Sequence, residues 1–287
     1  MPREDVWFTS GGDRCAAWWY SPEAEGNGRT VVMAHGFSLT RHDGLERYAE
    51  RFAEAGYCVL LFDHRFLGDS GGEPRQQFRI AKQQEDWRNA FAFARERKGA
   101  ENGVIAWGYS FAGAHATRIA SERDDVAALL LLCPFADGLK RVLKTPPPLS
   151  AWVLPRAVAD VAGRHNLIPV TAQPGEHAAM TFEGEADGFA SCVEEGSPWR
   201  NEISPGVFTV VGTFRPVRWA KRIGCPTFVA LGERDITVDA AAVEKLAERA
   251  GGELRRYPYD HFEPFAPEAV DRIAADQLDF LARSGLS

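Results

Sequence analysis

The sequence predicts an α/β fold in which a mostly parallel β-sheet carries helices on both faces. Two observations predict it: short, continuously apolar runs recur along the chain, and longer segments between them have apolar residues at three- and four-residue spacing. Continuous apolar runs are typical of strands buried on both faces of a parallel sheet, and their alternation with helices indicates a layered α/β arrangement. The 287 residues are enough to bury a sizeable core.

The predicted elements begin with an N-terminal hairpin, because DVWFTS and CAAWWYS flank the turn GGDR. The later strands are TVVMA (30–34), YCVLLFD (57–63), GVIAWG (103–108), VAALLLLC (126–133), PTFVALG (226–232) and ELRRYP (253–258). The helices are HDGLERYAERFAEAG, FRIAKQQEDWRNAFAFARERKG, SFAGAHATRIASER, VDAAAVEKLAERAGG and PEAVDRIAADQLDFLARSG.

One stretch, residues 140–215, interrupts this alternation. It is rich in Pro, Gly and Trp, as in TPPPLSAWVLPR and GSPWRNEISPG. Long insertions in compact domains are usually functional or disordered, and we expect residues 140–215 to form a cap or lid over one edge of the sheet. Residues 1–139 and 216–287 would then form the core. The alternative is a structural excursion that contacts no site.

Charge and composition exclude several classes of function. The formal net charge is −7, and no cluster of Lys and Arg stands out, so we expect neither a nucleic-acid nor a membrane partner. The acidic N-terminus differs from a secretory signal, and no apolar run reaches about 18 residues, which favours a cytoplasmic protein. The sequence is compatible with either a monomer or a homodimer.

Cysteines and histidines give no metal or disulfide pattern. The five cysteines include no CxxC pair, and the seven histidines include no HExxH motif. We therefore expect small core cysteines, no metal and no cofactor. His42, His64 and His115 lack the strand-end context of His261, and we expect them to be structural residues or residues at the rim of the site.

Ser110 lies in GVIAWGYSFAGAHATRIA (103–120), at the junction of a predicted strand and a predicted helix. The carboxyl ends of parallel strands are where α/β proteins bind ligands, and a sharp turn there exposes one side chain. Gly108, Ala112 and Gly113 keep that turn free of bulky groups. We predict that Ser110 is a nucleophile, the alternative being a helix-capping serine in a glycine-rich turn.

A serine nucleophile needs a base and a group that orients the base. His261 follows the last predicted strand in YPYDHFEPF, and Asp235 follows the preceding one in LGERDITVD. Both therefore fall on the same sheet edge as Ser110, and we predict a catalytic triad. Asp239 and Asp137 are the alternative acids.

An acyl-transfer site also needs an oxyanion hole. The loop HGFSLTRHDG follows TVVMA, and His35 and Gly36 allow its backbone to turn tightly. We predict that the backbone N–H groups of Phe37 and Phe111 are the two donors. The alternative is a simple loop between strand and helix.

The motifs HGF, FDHRFLGDSGG, GYSFAG, GERD and DHF, in this order and spacing, resemble the α/β-hydrolase fold family over nearly the whole chain outside the cap. The chain departs from the family pattern at Ala112, in place of the second glycine of GxSxG, and at Phe66 and Leu67. The cap, with HAAMTFEGEADG and SPWRNEISPG, is similar to a dienelactone-hydrolase and peptidase S15-like branch that includes thiohydrolases of polyketide pathways.

The resemblance implies hydrolysis of a medium-sized apolar ester, lactone or thioester through an acyl-enzyme. Apolar cap and core residues would line the small-molecule pocket: Phe37, Phe111, Trp152, Met180 and Phe182, with Phe189 and Trp199 as further candidates. Acyl transfer to an alcohol or amine, cleavage of a carbon–carbon bond beside a carbonyl, and a non-catalytic binding protein on this scaffold are the alternatives.

Overall fold

The computed structural model describes residues 3–287, and their strands form a single eight-stranded sheet. The strands are β1 (Arg3–Ser10), β2 (Asp13–Tyr20), β3 (Arg29–Ala34), β4 (Cys58–Phe62), β5 (Gly103–Tyr109), β6 (Val126–Leu132), β7 (Thr227–Gly232) and β8 (Glu253–Tyr257).

The sheet is parallel except at one edge. The strand order is β1-β2-β4-β3-β5-β6-β7-β8, with β1 antiparallel to β2 and β2 antiparallel to β4. All the other neighbours pair in parallel, so that Val31 of β3 lies opposite Val59 of β4 and Ile105 of β5. The predicted α/β fold and its N-terminal hairpin are confirmed.

Eight α-helices are found in the described residues: α1 (Glu46–Glu54), α2 (Ile80–Glu96), α3 (Phe111–Glu122), α4 (Gly138–Lys144), α5 (Pro147–Ala159), α6 (Glu185–Cys192), α7 (Ala240–Ala250) and α8 (Pro267–Arg283). Helices α1 and α8 cover one face of the sheet, and α2, α3 and α7 cover the other.

The strands read as continuous apolar runs because both of their faces are buried. In β3, Val31 and Met33 belong to the core layer under α1 and α8, whereas Val32 and Ala34 belong to the layer under α2, α3 and α7. The β3–β5 region of the sheet therefore has no solvent-facing side, and packing on both faces positions its strand ends.

Residues 133–226, which we refer to as the insertion, connect β6 to β7. They contain α4, α5, α6 and a series of short 3₁₀ turns from 205 to 222. The sequence analysis predicted no helix here. A signal was present, since Pro147 and Pro148 occupy the first turn of α5, where proline costs no hydrogen bond.

The end of the insertion packs on the body of the fold. Val217, Ala220 and Ile223 belong to the same core layer as α7, and the Arg249 guanidinium donates to the Val217 carbonyl at 2.9 Å. The predicted cap, 140–215, lies within the insertion, and its boundaries stay a prediction.

Within residues 3–287 every helix is too short or too polar to cross a membrane.

Candidate active site

Ser110 lies between the end of β5 and the start of α3 in a strained backbone conformation, with φ at 52° and ψ at −117°. Such a turn requires close backbone packing. A Cβ at Gly108 would lie 2.6 Å from the Ala112 carbonyl carbon, and one at Gly113 would lie 2.9 Å from Pro134 Cβ. The two glycines predicted to shape the turn are therefore required by space.

The turn is tied to the neighbouring strand on both sides of Ser110. The Ser110 N–H donates to the Leu132 carbonyl at 2.9 Å, and the Ser110 carbonyl accepts from the Phe135 N–H at 2.8 Å. The backbone N–H and carbonyl of Ser110 are thus both hydrogen-bonded, and its side chain projects from the sheet edge.

Ser110, His261 and Asp235 form one hydrogen-bonded chain. His261 Nε2 lies 2.9 Å from Ser110 Oγ, and His261 Nδ1 lies 2.6 Å from Asp235 Oδ2. A carboxylate can only accept, so Nδ1 carries the ring proton and donates it to Asp235. Nε2 then presents its lone pair to the serine hydroxyl, which is the arrangement a general base requires.

Asp235 is fixed by the loop that follows β7. Its Oδ1 accepts from the backbone N–H of Thr237 at 2.9 Å and of Val238 at 3.1 Å, and its side chain is fully buried. The alternative acids lie elsewhere: Asp137 pairs with Arg215, and Asp239 accepts from the Ala242 N–H at the start of α7.

His261 is held from below by Tyr109, the last residue of β5. The Tyr109 hydroxyl donates to the His261 carbonyl at 2.8 Å, and the two rings lie 5.0 Å apart at 36°. Burial raises the pKa of Tyr109 well above its usual value, so the phenol keeps the proton that it donates. The Tyr109 side chain thus helps to fix the position of His261 relative to the end of β5.

Cys133 is a buried neighbour that sequence reasoning treated as a core residue. Its sulfur and the ligand atoms of Asp235 and His261 all lie within 4.8 Å of one another, a grouping that could in principle hold a metal. Burial and the adjacent Asp235 carboxylate raise the pKa of the Cys133 thiol well above its usual value. A protonated thiol is a poor metal ligand, and Asp235 is already bonded to His261.

The loop after β3 lies against Ser110. A Cβ at Gly36 would lie 2.8 Å from Ser110 Cβ and 3.2 Å from Tyr109 Cδ1, so only glycine permits this approach. Within residues 3–287, the backbone N–H groups of Phe37 and Phe111 have no hydrogen-bond acceptor. The Phe111 N–H directly follows Ser110 in the chain. The Phe37 N–H follows Gly36, which packs against Ser110.

His35 braces this loop. Its Nε2 lies 2.7 Å from the Asp43 carbonyl oxygen and its Nδ1 accepts from the Gly36 N–H at 2.9 Å. Burial lowers the pKa of His35 to about 3, so the ring stays neutral and keeps one donor and one acceptor. A neutral His35 therefore fixes Gly36 and the Phe37 N–H that follows.

Ser110 opens into a cavity of about 190 Å³ between the sheet edge and the insertion. Phe37, Phe111 and Met180, three of the predicted lining residues, lie on its wall. The remaining wall is mostly aliphatic and aromatic: Phe135, Arg141, Val142, Thr145, Leu149, Ser150, Val153, Leu154, Ala178, Ala179, Val207, Phe208, Val211 and Thr237.

The other predicted lining residues are outside this wall. Trp152 stacks on His177 at 4.8 Å, and the Arg141 guanidinium lies 3.9 Å above the Phe182 ring. Phe189 and Trp199 pack against each other beside Phe262, with centroids 6.1 Å apart. Sequence reasoning selected aromatic residues and missed the aliphatic side chains of α4 and α5.

Arg141 is the only charged residue on the described cavity wall. Its two terminal nitrogens donate to the Glu185 carboxylate at 2.9 and 3.2 Å, and Glu185 is only 1% exposed. Glu185 also accepts from the Thr237 hydroxyl at 3.1 Å and the Phe182 N–H at 2.9 Å. The cavity thus presents an electrically compensated, mainly apolar wall.

The three other histidines considered in the sequence lie away from Ser110 Oγ. His64 faces the buried Asp86 at 3.3 Å, and His115 Nε2 lies 2.9 Å from Gln83 Oε1. His42 and Asp69 make a polar contact at 2.7 Å, and the Arg41 guanidinium bonds Asp69 at 2.8 Å. These contacts stabilise the fold around the site.

Comparison with known proteins identifies the family. The model of the alpha/beta hydrolase fold matches residues 29–263. The quorum-quenching protein AidA of Acinetobacter baumannii is 32% identical over 286 residues, which cover 97% of this chain and 94% of that protein. Thiohydrolase aneE of Aspergillus aculeatus is 31% identical over 206 residues, 68% of this chain and 64% of its own.

A solved structure gives the same result for the fold. The crystal structure of the alpha/beta hydrolase GrgF from Penicillium sp. superposes with a TM-score of 0.84 at 24% identity, covering 99% of both chains. A family match over most of the chain, and a relative above 30% identity along nearly all of it, confirm the resemblance found in the motifs. The chain belongs to the α/β-hydrolase fold family.

Proposed function

We propose that this protein is a serine hydrolase that cleaves an apolar ester, lactone or thioester through an acyl-enzyme. The observation that carries the proposal is the chain of hydrogen bonds from Asp235 through His261 to Ser110, which ends at an apolar cavity. A binding protein would have no use for a strained serine aligned with a buried base.

In the first half of the reaction, Ser110 Oγ attacks the substrate carbonyl carbon while His261 Nε2 takes the hydroxyl proton. The C–O double bond opens to an oxyanion, which the N–H groups of Phe37 and Phe111 stabilise. The intermediate then collapses: the carbonyl re-forms, the bond from the acyl carbon to the leaving oxygen or sulfur breaks, and His261 gives its proton to that alkoxide or thiolate. The products of this half are an ester on Ser110 and a free alcohol or thiol.

In the second half, water replaces the leaving group. His261 takes a proton from the water as its oxygen attacks the acyl carbon, and the same two N–H groups hold the new oxyanion. Collapse of the intermediate breaks the bond to Ser110 Oγ, which regains its proton from His261. Asp235 keeps the histidine tautomer correct and stabilises the imidazolium in both halves.

The cavity supports an uncharged, apolar acyl group. Its one cation, Arg141, is already bound to Glu185, so a free carboxylate on the substrate would find no unpaired partner. The names of the relatives agree with this class, since one is a thiohydrolase and another is a quorum-quenching protein.

The nucleophile is tested without knowledge of the substrate. The wild type and Ser110→Ala are incubated with a small fluorophosphonate and weighed by intact-mass spectrometry. We expect one adduct on the wild type and none on the variant. An adduct of equal yield on Ser110→Ala, or none on either protein, would reject the assignment.

Matched substrates then identify the reaction. An oxygen ester, a lactone and a thioester with the same apolar acyl group are compared, and products are analysed with water alone and with added alcohol or amine. Free acid as the sole product supports hydrolysis. Preferential formation of the alcohol or amine adduct would assign acyl transfer to the same three residues instead.

A further inference from the structure

The insertion exposes an unusual amount of apolar surface. Of the ten large hydrophobic side chains that are exposed among residues 3–287, eight belong to the insertion and two, Trp7 and Ile236, do not. The eight are Leu139, Val142, Leu143, Leu154, Val158, Val161, Leu167 and Val210. Grouped exposure of this kind indicates an interaction surface, whereas isolated exposed apolar residues do not.

These side chains form two stripes. Leu139, Val142 and Leu143 lie on α4, and Leu154 and Val158 lie four residues apart on α5. Val142 and Leu154 are exposed and also line the catalytic cavity. The apolar surface therefore continues from the outside of the insertion into the cavity.

The charges among these stripes all have one sign. Residues 138–167 contain four exposed cationic side chains: Lys140, Lys144, Arg156 and Arg164. Lys144 also pairs with Asp239 at 3.2 Å, which leaves three of the four without an acidic partner among the described residues. The one acidic residue in this range is Asp160, which is buried and bonded to Arg79 at 2.6 Å. In a chain of net charge −7, this is a local excess of positive charge.

We propose that residues 138–167 form a docking surface for anionic lipid, at which the catalytic cavity opens. We refer to it as the α4–α5 face. Exposed aliphatic side chains interleaved with Lys and Arg are the composition of segments that lie in a membrane interface, where the apolar groups enter the acyl boundary and the cations reach the headgroups.

The composition favours lipid over a protein partner. All eight exposed apolar side chains are Leu or Val. Residues that dominate protein–protein binding are chiefly Trp, Tyr and Arg, whereas Leu and Val are under-represented among them. A second copy of this chain is also disfavoured, because two cationic faces would repel each other.

The α4–α5 face lies at the mouth of the cavity, which suggests how a lipid-bound substrate would reach Ser110. An apolar ester is concentrated in a lipid layer, and a cavity that opens among Val142 and Leu154 could receive it without passage through water. The sequence analysis expected no membrane partner because the net charge is −7 and no cluster of Lys and Arg stands out in the sequence. The four exposed cations of residues 138–167 are spread along the sequence, and this range has no exposed acidic side chain of its own.

Vesicle binding tests the proposal independently of catalysis. The full chain is sedimented with vesicles of phosphatidylglycerol or of phosphatidylcholine. We expect binding to the anionic vesicles, at least tenfold weaker binding to the zwitterionic ones, and further weakening at high salt. Equal binding to both, or to neither, would overturn the proposal.

Two pairs of variants locate the surface. Leu143→Gln/Val158→Gln should weaken vesicle binding about tenfold, whereas the control Trp7→Gln, an exposed apolar residue of β1, should not. Lys140→Gln/Arg164→Gln should weaken it at least tenfold, whereas Lys98→Gln/Arg272→Gln, which removes the same charge elsewhere, should not. Equal effects of a test pair and its control would reject the α4–α5 face.

The molar mass of the chain decides the remaining alternative. Light scattering across concentrations is compared for the wild type and Leu143→Gln/Val158→Gln. A wild type whose mass is unchanged by the substitutions, with binding to anionic vesicles, supports the lipid face. A dimer that the substitutions dissociate, with no vesicle binding, would assign the face to a second copy instead.

Discussion

Glu185 of the insertion accepts a hydrogen bond from the Thr237 hydroxyl at 3.1 Å, and the Thr237 N–H donates to Asp235 at 2.9 Å. One residue thus joins the insertion to the acid of the proposed triad. The Thr237 carbonyl also accepts from Arg141 at 3.4 Å. The position of the insertion and the orientation of Asp235 are therefore connected through Thr237.

Arg141→Met should reduce both stability and turnover. It leaves the buried Glu185 carboxylate without its cation, which typically costs about 3–5 kcal/mol, and it removes one restraint on Thr237. The free energy of unfolding from denaturant titration and kcat on an activated ester measure the two effects.

The surface pair Arg200–Glu202 supplies the control for Arg141. Both of its side chains are about half exposed, so Arg200→Met should cost less than about 1 kcal/mol and leave kcat unchanged. Arg141→Met/Glu185→Leu should be more stable than Arg141→Met because it removes the unpaired charge. Equal destabilisation by Arg200→Met would contradict a special role for the buried pair.

Asp235→Asn should lower kcat by about 10⁴-fold with little loss of stability. An amide facing His261 Nδ1 can donate to it, which favours the tautomer that places the ring proton on Nε2 and removes the base. Asp239→Asn keeps a side-chain oxygen that can cap α7, so it should change stability by less than about 1 kcal/mol and keep kcat. Steady-state kinetics of both variants decide between the acids, and retained turnover in Asp235→Asn would exclude Asp235.

Gly36→Ala should lower kcat by about 10²-fold or more while the protein still folds. The new methyl group would lie 2.8 Å from Ser110 Cβ, so the loop must retreat and withdraw the Phe37 N–H from the developing oxyanion. Gly224→Ala is the control, since no atom lies within 4 Å of a Cβ at that position. Similar kcat values for the two alanine variants would argue against the Phe37 donor.

Ala178→Leu should shift the preference toward shorter acyl groups. Ala178 is buried on the cavity wall, and a larger side chain there would exclude the end of a long chain, lowering kcat/KM by about 10- to 100-fold. A series of esters of increasing acyl length measures the shift. Trp152→Ala, which changes a residue outside the wall, should leave the dependence of kcat/KM on acyl length unchanged. If only Trp152→Ala changed that dependence, the acyl group would have to bind beside Trp152 instead.

Acid should destabilise the protein partly through His115. Burial lowers the pKa of His115 well below its value of 6.5 in the unfolded chain. Near pH 5 His115 is therefore protonated in the unfolded state but not in the native state. This histidine favours unfolding increasingly as pH falls below 6.5 and contributes no pH dependence above it. Its contribution at pH 5 is about 2 kcal/mol.

His115→Gln isolates this contribution. Denaturant titrations at pH 7.5 and pH 5 give the stability lost on acidification for each protein. The loss should be smaller by about 2 kcal/mol in the variant, whatever the variant's own stability at pH 7.5. An unchanged loss would mean that other groups, such as His35, account for the acid sensitivity.

Much of the fold could be predicted because strands such as β3 and β5 are buried on both faces and so carry a continuous apolar signal. The meeting of Ser110, Asp235 and His261 followed from their places just after strand ends, since parallel strands end at one sheet edge. Local sequence and a simple topological rule were sufficient there.

The cavity wall was harder to predict, because it depends on packing between distant segments. Aromatic residues were selected for their type, yet Trp152 is engaged by His177 and Phe182 by Arg141. Much of the aliphatic wall comes from α4, which is only seven residues long, and from α5, which contains Pro155. The contact that orders Glu185 links residues 52 apart and leaves no local signature.

The backbone conformation of Ser110 has an evolutionary consequence. The proposed reaction needs a side chain held at φ 52°, whereas folding alone would favour glycine at that turn. A descendant that kept the scaffold but abandoned the chemistry would gain stability by replacing this serine with glycine. Among related sequences, glycine at position 110 would therefore indicate proteins that keep this fold but no longer use a serine nucleophile here.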